Sequence, residues 1–493
     1  MKGVIARRFP LHLVLTMLLL ALFAVALPGL GSARAAQDVS QESIPADRLA
    51  QAIAAAAPGE TITVDGGVFH GALHVDRPLT LIGHNWPILD GRNQGTVLNI
   101  TAPGTTVEGF LIRNSGDSLD QENSGIVVDA MDVTIAHNRF EDTLFGVYLR
   151  EAHGSAILNN DIQGKDLAVP RRGDPIRIWY SNDVIVADNR VSQGRDVVLW
   201  YSERLTIRGN DIGHGRYGLH FMYCDDALIE ENRLLNNSVG AFLMYSRRMT
   251  MQHNTIAMNR GPSGFGLGLK DMDDAIVRQN HFLDNRIGAY LDASPREIDS
   301  IGLFQENVFA YNDIGIELMP AVSRNQFIAN SFVDNQEQVA LAGGGSPGAN
   351  HWTVDGVGNY WSNYAGFDVG GDGYGDIPYT SQRLFEDLMQ REPALRLFLY
   401  SPATDALDFA SRAFPVVRPQ PKLQDSSPLM APRVAAGAPP LPITGGNGAW
   451  IWLALALSVL SLGLIALPRL HSRRYAFPLT PSAQPLSHAP TSS

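Results

Sequence analysis

The chain has 493 residues, 45% of them hydrophobic and 18% charged, with a formal net charge of −12. That balance permits a large core and argues against nucleic acid as a general partner, because no basic field draws phosphates in. Its 47 glycines, mixed with scattered Asn, suit a turn-rich architecture better than a helical one.

At the N-terminus, Lys2, Arg7 and Arg8 precede an apolar run from Leu11 to Leu27 and then Ala33-Arg34-Ala35. A charged, an apolar and a small-x-small segment in that order predict a secretory signal over residues 1–35. An exported chain whose one cysteine is Cys224 forms no internal disulfide, so a regular fold must stabilise it. Residues 37–58 carry a helical pattern, expected to close the end of a repeat stack that would otherwise expose its interior. From Thr61 onward come strand-length apolar runs separated by Gly, Asp and Asn.

An Asn-x-apolar motif recurs at Asn138, Asn160, Asn189, Asn210, Asn232, Asn254, Asn280, Asn307 and Asn330, in steps of 22, 29, 21, 22, 22, 26, 27 and 23. A period near 22 is too short for paired helices and suits one coil of a parallel β-helix, an all-β fold predicted over residues 36–380. Asn at a repeated corner has a physical reason: it tolerates left-handed backbone, and its amides bond from coil to coil. Two residues after each Asn the position is apolar, from Phe140 and Ile162 to Phe309 and Phe332, and these side chains are expected to stack inward. Met249 and Met251 fall on the inward pattern and read as core fillers.

Gly-led strands begin at Gly218, Gly240 and Gly266. Alternation turns their first and third following residues inward and the second and fourth outward. The outward set holds His220 and Met222, Phe242 and Met244, and Lys270, with Trp179, Trp200 and Met319 in corresponding places. Such a face is expected to be a binding strip. Met222 and Met244 should neighbour each other across adjacent coils, with His220 two residues away. Cys224 follows, and Met272 takes the equivalent place one repeat beyond Ser246. Thioether, thiolate and imidazole together favour Cu(I) over Mg²⁺ or Ca²⁺, so Met222, Met244, His220, Cys224, Met272 and Met319 are the metal candidates. The same face fits a protein contact equally well, with Trp179, Trp200, Phe242 and Lys270 as docking candidates. An enzyme reading competes: Asp225-Asp226 and Asp273-Asp274 lie at equivalent places, and paired acids act on glycans. Asp at a strand-end turn is routine, however, and no catalytic residue is assigned.

Asp368, Asp372 and Asp376 recur at four-residue spacing among glycines. Without the twelve-residue loop and terminal Glu of a calcium site, a Gly/Asp turn closing the last coil is the preferred reading. Residues 381–414 read as a helical cap or docking segment and 415–447 as a Pro-rich linker. Residues 448–467 read as a transmembrane helix and 468–493 as a cytoplasmic tail, from the arginines that follow the apolar run. Leu441-Pro-Ile-Thr-Gly445 fits a surface-sorting pattern, but the long tail after Arg474 favours a plain membrane anchor.

GLHFMY (218–223), FLMYS (242–246), GFGLGLKDMDD (264–274), GNYWSNYAGFD (358–368) and PALRLFLYSPATDALDFASRAFPV (393–416) together resemble the NosD family of periplasmic proteins that mature nitrous-oxide reductase. The resemblance runs from about the first strand to the Pro-rich linker. It implies a right-handed parallel β-helix of the carbohydrate-binding/sugar-hydrolase type. It also implies partnership with an ABC transporter (ATPase NosF, permease NosY), with the reductase NosZ and with the copper donor lipoprotein NosL. The cargo would be copper, as transient Cu(I), or sulfur. On that reading the chain is not an enzyme and ATP is hydrolysed by a partner, in keeping with the lack of a GxxxxGK[ST] loop. A glycan-binding or glycan-processing β-helix is the alternative. The C-terminal membrane segment departs from the family pattern and would tether an exported chain to the cytoplasmic membrane.

Overall fold

Most strands are three to six residues long, and each pairs in parallel with the strand three places on in the chain. That spacing means each coil contributes one strand to each of three sheets, as in a right-handed β-solenoid. The computed structural model describes residues 43–342, 350–381 and 421–433, with separate positions between 388 and 410. It divides into two units, Met1–Arg195 and Asp196–Ser493.

The first unit opens on the 3-10 turn Ala46–Arg48 and the helix Leu49–Ala55, which buries Leu49 and Ile53. This is the expected cap, confined to two turns, and it lies on the strands Glu60–Asp65 and Leu73–Val75. One sheet of this unit runs Glu60–Asp65, Leu79–His84, Thr106–Glu108, Thr134–Ala136, Ala156–Leu158, Ile185–Ala187.

In the second unit, the Gly-led strands form a sheet in the order Asp196–Trp200, Tyr217–Met222, Val239–Met244, Phe265–Lys270, Ile287–Asp292, Ile314–Leu318, Glu337–Leu341. Inside, the rings of Phe282, Phe309, Phe332, Trp361 and Tyr379 stack in succession at centroid spacings of 4.8, 5.2, 4.4 and 4.4 Å. Met249 and Met251 are buried with them, as the register predicts.

The repeated Asn is a ladder residue. In the second unit, Asn210, Asn232, Asn254, Asn280, Asn307 and Asn330 each donate a backbone N–H to the side-chain oxygen of the next Asn, and Asn330 donates to Asn359. The first unit has the same bonds from Asn138 to Asn160 and from Asn160 to Asn189. One part of the expectation is corrected. The left-handed backbone belongs to the residue before the Asn, such as Glu231 (φ 57), His253 (φ 55) and Gln279 (φ 55). The Asn is buried because its amide also holds a carbonyl of the preceding coil. A second ladder, Asn237–Asn259–Asn285–Asn312–Asn335, went unread in the sequence although it stands five residues after the first.

The leading glycines have a reason other than φ. A Cβ on Gly240 would stand 2.5 Å from the Gly266 carbonyl oxygen and 2.5 Å from Ile256. The corner between sheets is too tight for any side chain.

Within the stretch 415–447, read as a Pro-rich linker, residues 421–433 are described and pair back onto the second unit. Gln424–Asp425 pairs antiparallel with Tyr379–Thr380. Asp425 is fully buried and accepts bonds from the Asn359 N–H (2.7 Å), the Trp361 indole (2.9 Å) and the Thr353 hydroxyl (2.8 Å). It terminates the first Asn ladder with a carboxylate. Of the segment 381–414, the described part includes the 3-10 helix Pro393–Phe398. The signal at 1–35, the apolar segment 448–467 and the tail 468–493 lie outside the described residues, and no helix among those described is long and apolar enough to cross a membrane.

Candidate functional site

The ladder register pairs Trp200 with Met222, Met222 with Met244, Met244 with Lys270, and Lys270 with Asp292. These side chains form one row on the outer face of the sheet, each half-buried. The Met319 N–H bonds to the Leu291 carbonyl, which places Met319 at the far end of the row. Each ladder step is about 4.8 Å, so Met319 stands about 14 Å from Met244, beyond Lys270 and Asp292. It does not join Met222 and Met244. Lys270 lies 3.8 Å from Asp292. Trp179 belongs to the first unit, where Arg177 lies over its ring.

A second row, two residues earlier, contains Val198, His220 and Phe242. Period-two alternation turns this row outward, but His220 is only 7% exposed and Val198 1%. Trp200 and Tyr217 stand edge-on to the His220 imidazole, at 5.4 and 4.9 Å between centroids. The His220 Nδ1 is buried and makes no hydrogen bond; the nearest carboxylate oxygen, on Asp196, is 3.6 Å away. Asp196 is itself clamped by Arg216 and by the Tyr217 N–H. Burial would push its carboxyl up, but the bonds from Arg216 and the nearby His220 ring outweigh it and hold it below the usual range.

Cys224 and Met272 do not lie on this face. Both are interior, with 0% and 1% exposure. They occupy an inward corner column in which the Cys224 N–H bonds to the Ser246 hydroxyl and the Met272 N–H to the Ser294 hydroxyl. After the fourth strand residue, the left-handed corner at Tyr223 and Asp271 turns the following side chain back into the coil. The Cys224 thiol donates to the Leu199 carbonyl at 3.1 Å, and burial pushes it up to about 12. It is a packed thiol, far from the thiolate a metal requires.

The paired acids are likewise committed. Asp225 receives the Arg247 N–H and guanidinium, and Arg248 engages Asp226 through two bonds. Arg247 sits in the ladder between Asp225 and Asp273. Asp273 is buried and accepts the backbone N–H groups of Arg296 and Glu297, both at 2.8 Å. Asp368 accepts the N–H groups of Gly371, Asp372 and Gly373, and Asp376 that of Val369. These carboxylates staple their own turn, as the Gly/Asp reading expects. Among the described residues, no group of three or more His, Cys, Asp or Glu side chains is placed to hold a metal.

Residues 158–366 match the family model described as "Periplasmic copper-binding protein (NosD)". A Pseudomonas aeruginosa protein named "Probable ABC transporter binding protein NosD" is 32% identical over 386 residues, covering 76% of this chain and 88% of its own length. The chain belongs to the NosD family. A Stutzerimonas stutzeri protein of the same name is 29% identical, over 74% of this chain and 85% of its own length. Both NosD relatives are named as binding proteins, not as enzymes. The NosD match includes the strands that carry His220, Met222 and Met244. Among solved structures, the A-module of the Azotobacter vinelandii mannuronan C-5 epimerase AlgE6 is similar at 12% identity and a TM-score of 0.40, over 62% of this chain and 96% of that one. A PL6-family alginate lyase is similar at 16% identity and 0.42, over 65% of this chain and 54% of that one.

Proposed function

We propose that the chain is an exported accessory protein that holds Cu(I) transiently as cargo on the outer face of its second unit, for assembly of the copper sites of nitrous-oxide reductase. Membership of a family described as periplasmic and copper-binding supports the copper. The names of its relatives support an association with an ABC transporter. The observation that carries the site is the direct pairing of Met222 with Met244 beside His220. Two thioethers and an imidazole are a soft donor set of the kind that selects Cu(I), and a ligand set of low charge releases its ion readily. The buried Nδ1 facing Asp196 leaves the opposite nitrogen, Nε2, as the one for a metal. Trp200, Phe242 and Lys270 flank the methionines and would form the rim of the surface that docks the recipient; Trp179 would serve docking from the first unit. NosF, NosY, NosZ and NosL types are the partners this reading names, with a membrane tether beyond residue 447 keeping the face near the permease.

The test is Cu(I) titration of the mature full chain in detergent against a competing chelator. Met222→Leu, Met244→Leu and His220→Gln should each weaken binding by more than the roughly tenfold that loss of a ligand's supporting hydrogen bond costs. Unchanged affinity in all three removes the site. Met319→Leu and Met272→Leu should leave affinity unaltered.

A further inference from the structure

We propose a second binding site on the second unit, built on the ring of Tyr245, that takes a guanidinium group. It is independent of the copper donors. Tyr201, Tyr223 and Tyr245 occupy successive left-handed corners (φ 53, 57 and 54) that throw their rings outward. The rings stack, Tyr201 on Tyr223 and Tyr223 on Tyr245, at 5.1 Å in both pairs and with interplanar angles of 10° and 17°. In the next coil the corner residue is Asp271, since the Tyr245 N–H bonds to the Lys270 carbonyl and the Asp271 N–H to that of Asp292. The ring ladder therefore stops at Tyr245, and its outer face meets a carboxylate position instead of another ring.

A cavity of about 470 Å³ opens at that point, lined by five carboxylates against the guanidinium groups of Arg247 and Arg296. Arg247 is already held by Asp225, at 3.1 and 3.2 Å. Asp273 is fixed by the two backbone N–H groups described above. Asp271, Glu297 and Arg296 make no side-chain hydrogen bond or ion pair among the described residues, so the net free charge lining the cavity is negative. An uncovered aromatic face attracts a cation through its quadrupole, and a carboxylate at its edge adds Coulomb attraction in the same direction. A guanidinium meets both demands, because it is planar enough to lie on the ring and forks onto a carboxylate. A neutral sugar would also use the ring face but gains nothing from the excess of acids.

The guanidinium could be carried by a protein side chain or by a free small molecule, and the experiment separates them. The mature full chain in detergent, labelled with 3-fluorotyrosine, is titrated with Gly-Arg-Gly amide, its citrulline analogue, arginine amide and maltotetraose, and followed by ¹⁹F NMR. The expected result is a saturable shift of the Tyr245 resonance by the arginine peptide, at least about fivefold weaker with citrulline. Followed at the resonance of Tyr223, which stacks on position 245, Tyr245→Phe should retain binding and Tyr245→Leu lose it, and Asp271→Asn should weaken it about two- to fivefold. Arg296→Ala should strengthen it. Tighter binding of the peptide than of arginine amide supports a protein segment as the ligand; equal binding supports a free guanidino compound. The proposal is overturned if citrulline binds as well as arginine, if only maltotetraose binds, or if no saturable shift occurs. Met222→Leu should leave this titration unaltered, so failure of the copper site and failure of this one are told apart.

Discussion

At the residue scale, the buried polar groups are the most exacting part of the molecule. Asn280 is fully buried; its oxygen accepts the Asn254 N–H and amide, and its own amide reaches the Met251 carbonyl at 2.8 Å. Asn280→Ala strands several of these groups at once, at about 1–3 kcal/mol for each one left unsatisfied. Urea unfolding should show a loss of at least about 3 kcal/mol, whereas a substitution at exposed Arg286 should cost little. Cys224 offers a second check. With its thiol pushed up to about 12, a thiol reagent should fail to label the folded chain and label it fully in denaturant. Asp90 sets a pH dependence in the first unit. Burial pushes it up, but Asn114, the Arg92 N–H and Arg113 prevail and hold it low. Its contribution is thus present above the unfolded value of about 3.9 and is lost as pH falls through the folded one. The stability gap between wild type and Asp90→Asn should accordingly close in acid.

Elements here are too short to stand alone; three-residue strands acquire definition only from the coils above and below. The Gly column shows how tightly the coils are spaced. In Gly240→Ala the added methyl meets the Gly266 carbonyl, so the corner must open; about 1–3 kcal/mol of destabilisation is expected by thermal melting. The aromatic core stack behaves differently, because a cavity forms instead of a clash. Phe309→Ala, between Phe282 and Phe332, should cost about 3–5 kcal/mol.

At the scale of the whole molecule, the decisive feature is how the open strands of each unit are closed. A β-solenoid leaves a row of open backbone and side-chain groups at each terminus. The N-terminal end is covered by the helix Leu49–Ala55. In the second unit, Asp425 receives the Asn ladder and the Trp361 indole, while Lys422 pairs with buried Glu337. Asp425→Ala should therefore lower the melting temperature and red-shift the tryptophan emission, as water reaches Trp361. Retention of both properties would show that the ladder needs no carboxylate terminus.

The sequence by itself determined the period, the all-β class, the inward residues and the Met222–Met244 pairing, because all follow from local spacing and two-residue alternation. It also carried the family, through the Met-bearing strands. Only tertiary structure decided the rest. Cys224 and Met272 point inward because a left-handed corner breaks the alternation just past the strand, and a strict period-two count runs through it. His220 is covered by Trp200 and Tyr217, whose approach depends on neighbouring coils and strand ends. The return of Asp425 to Asn359 joins positions 66 residues apart, with no periodicity to announce it. A repeat is written into spacing, but its corners and its ends are settled by contacts that spacing does not encode.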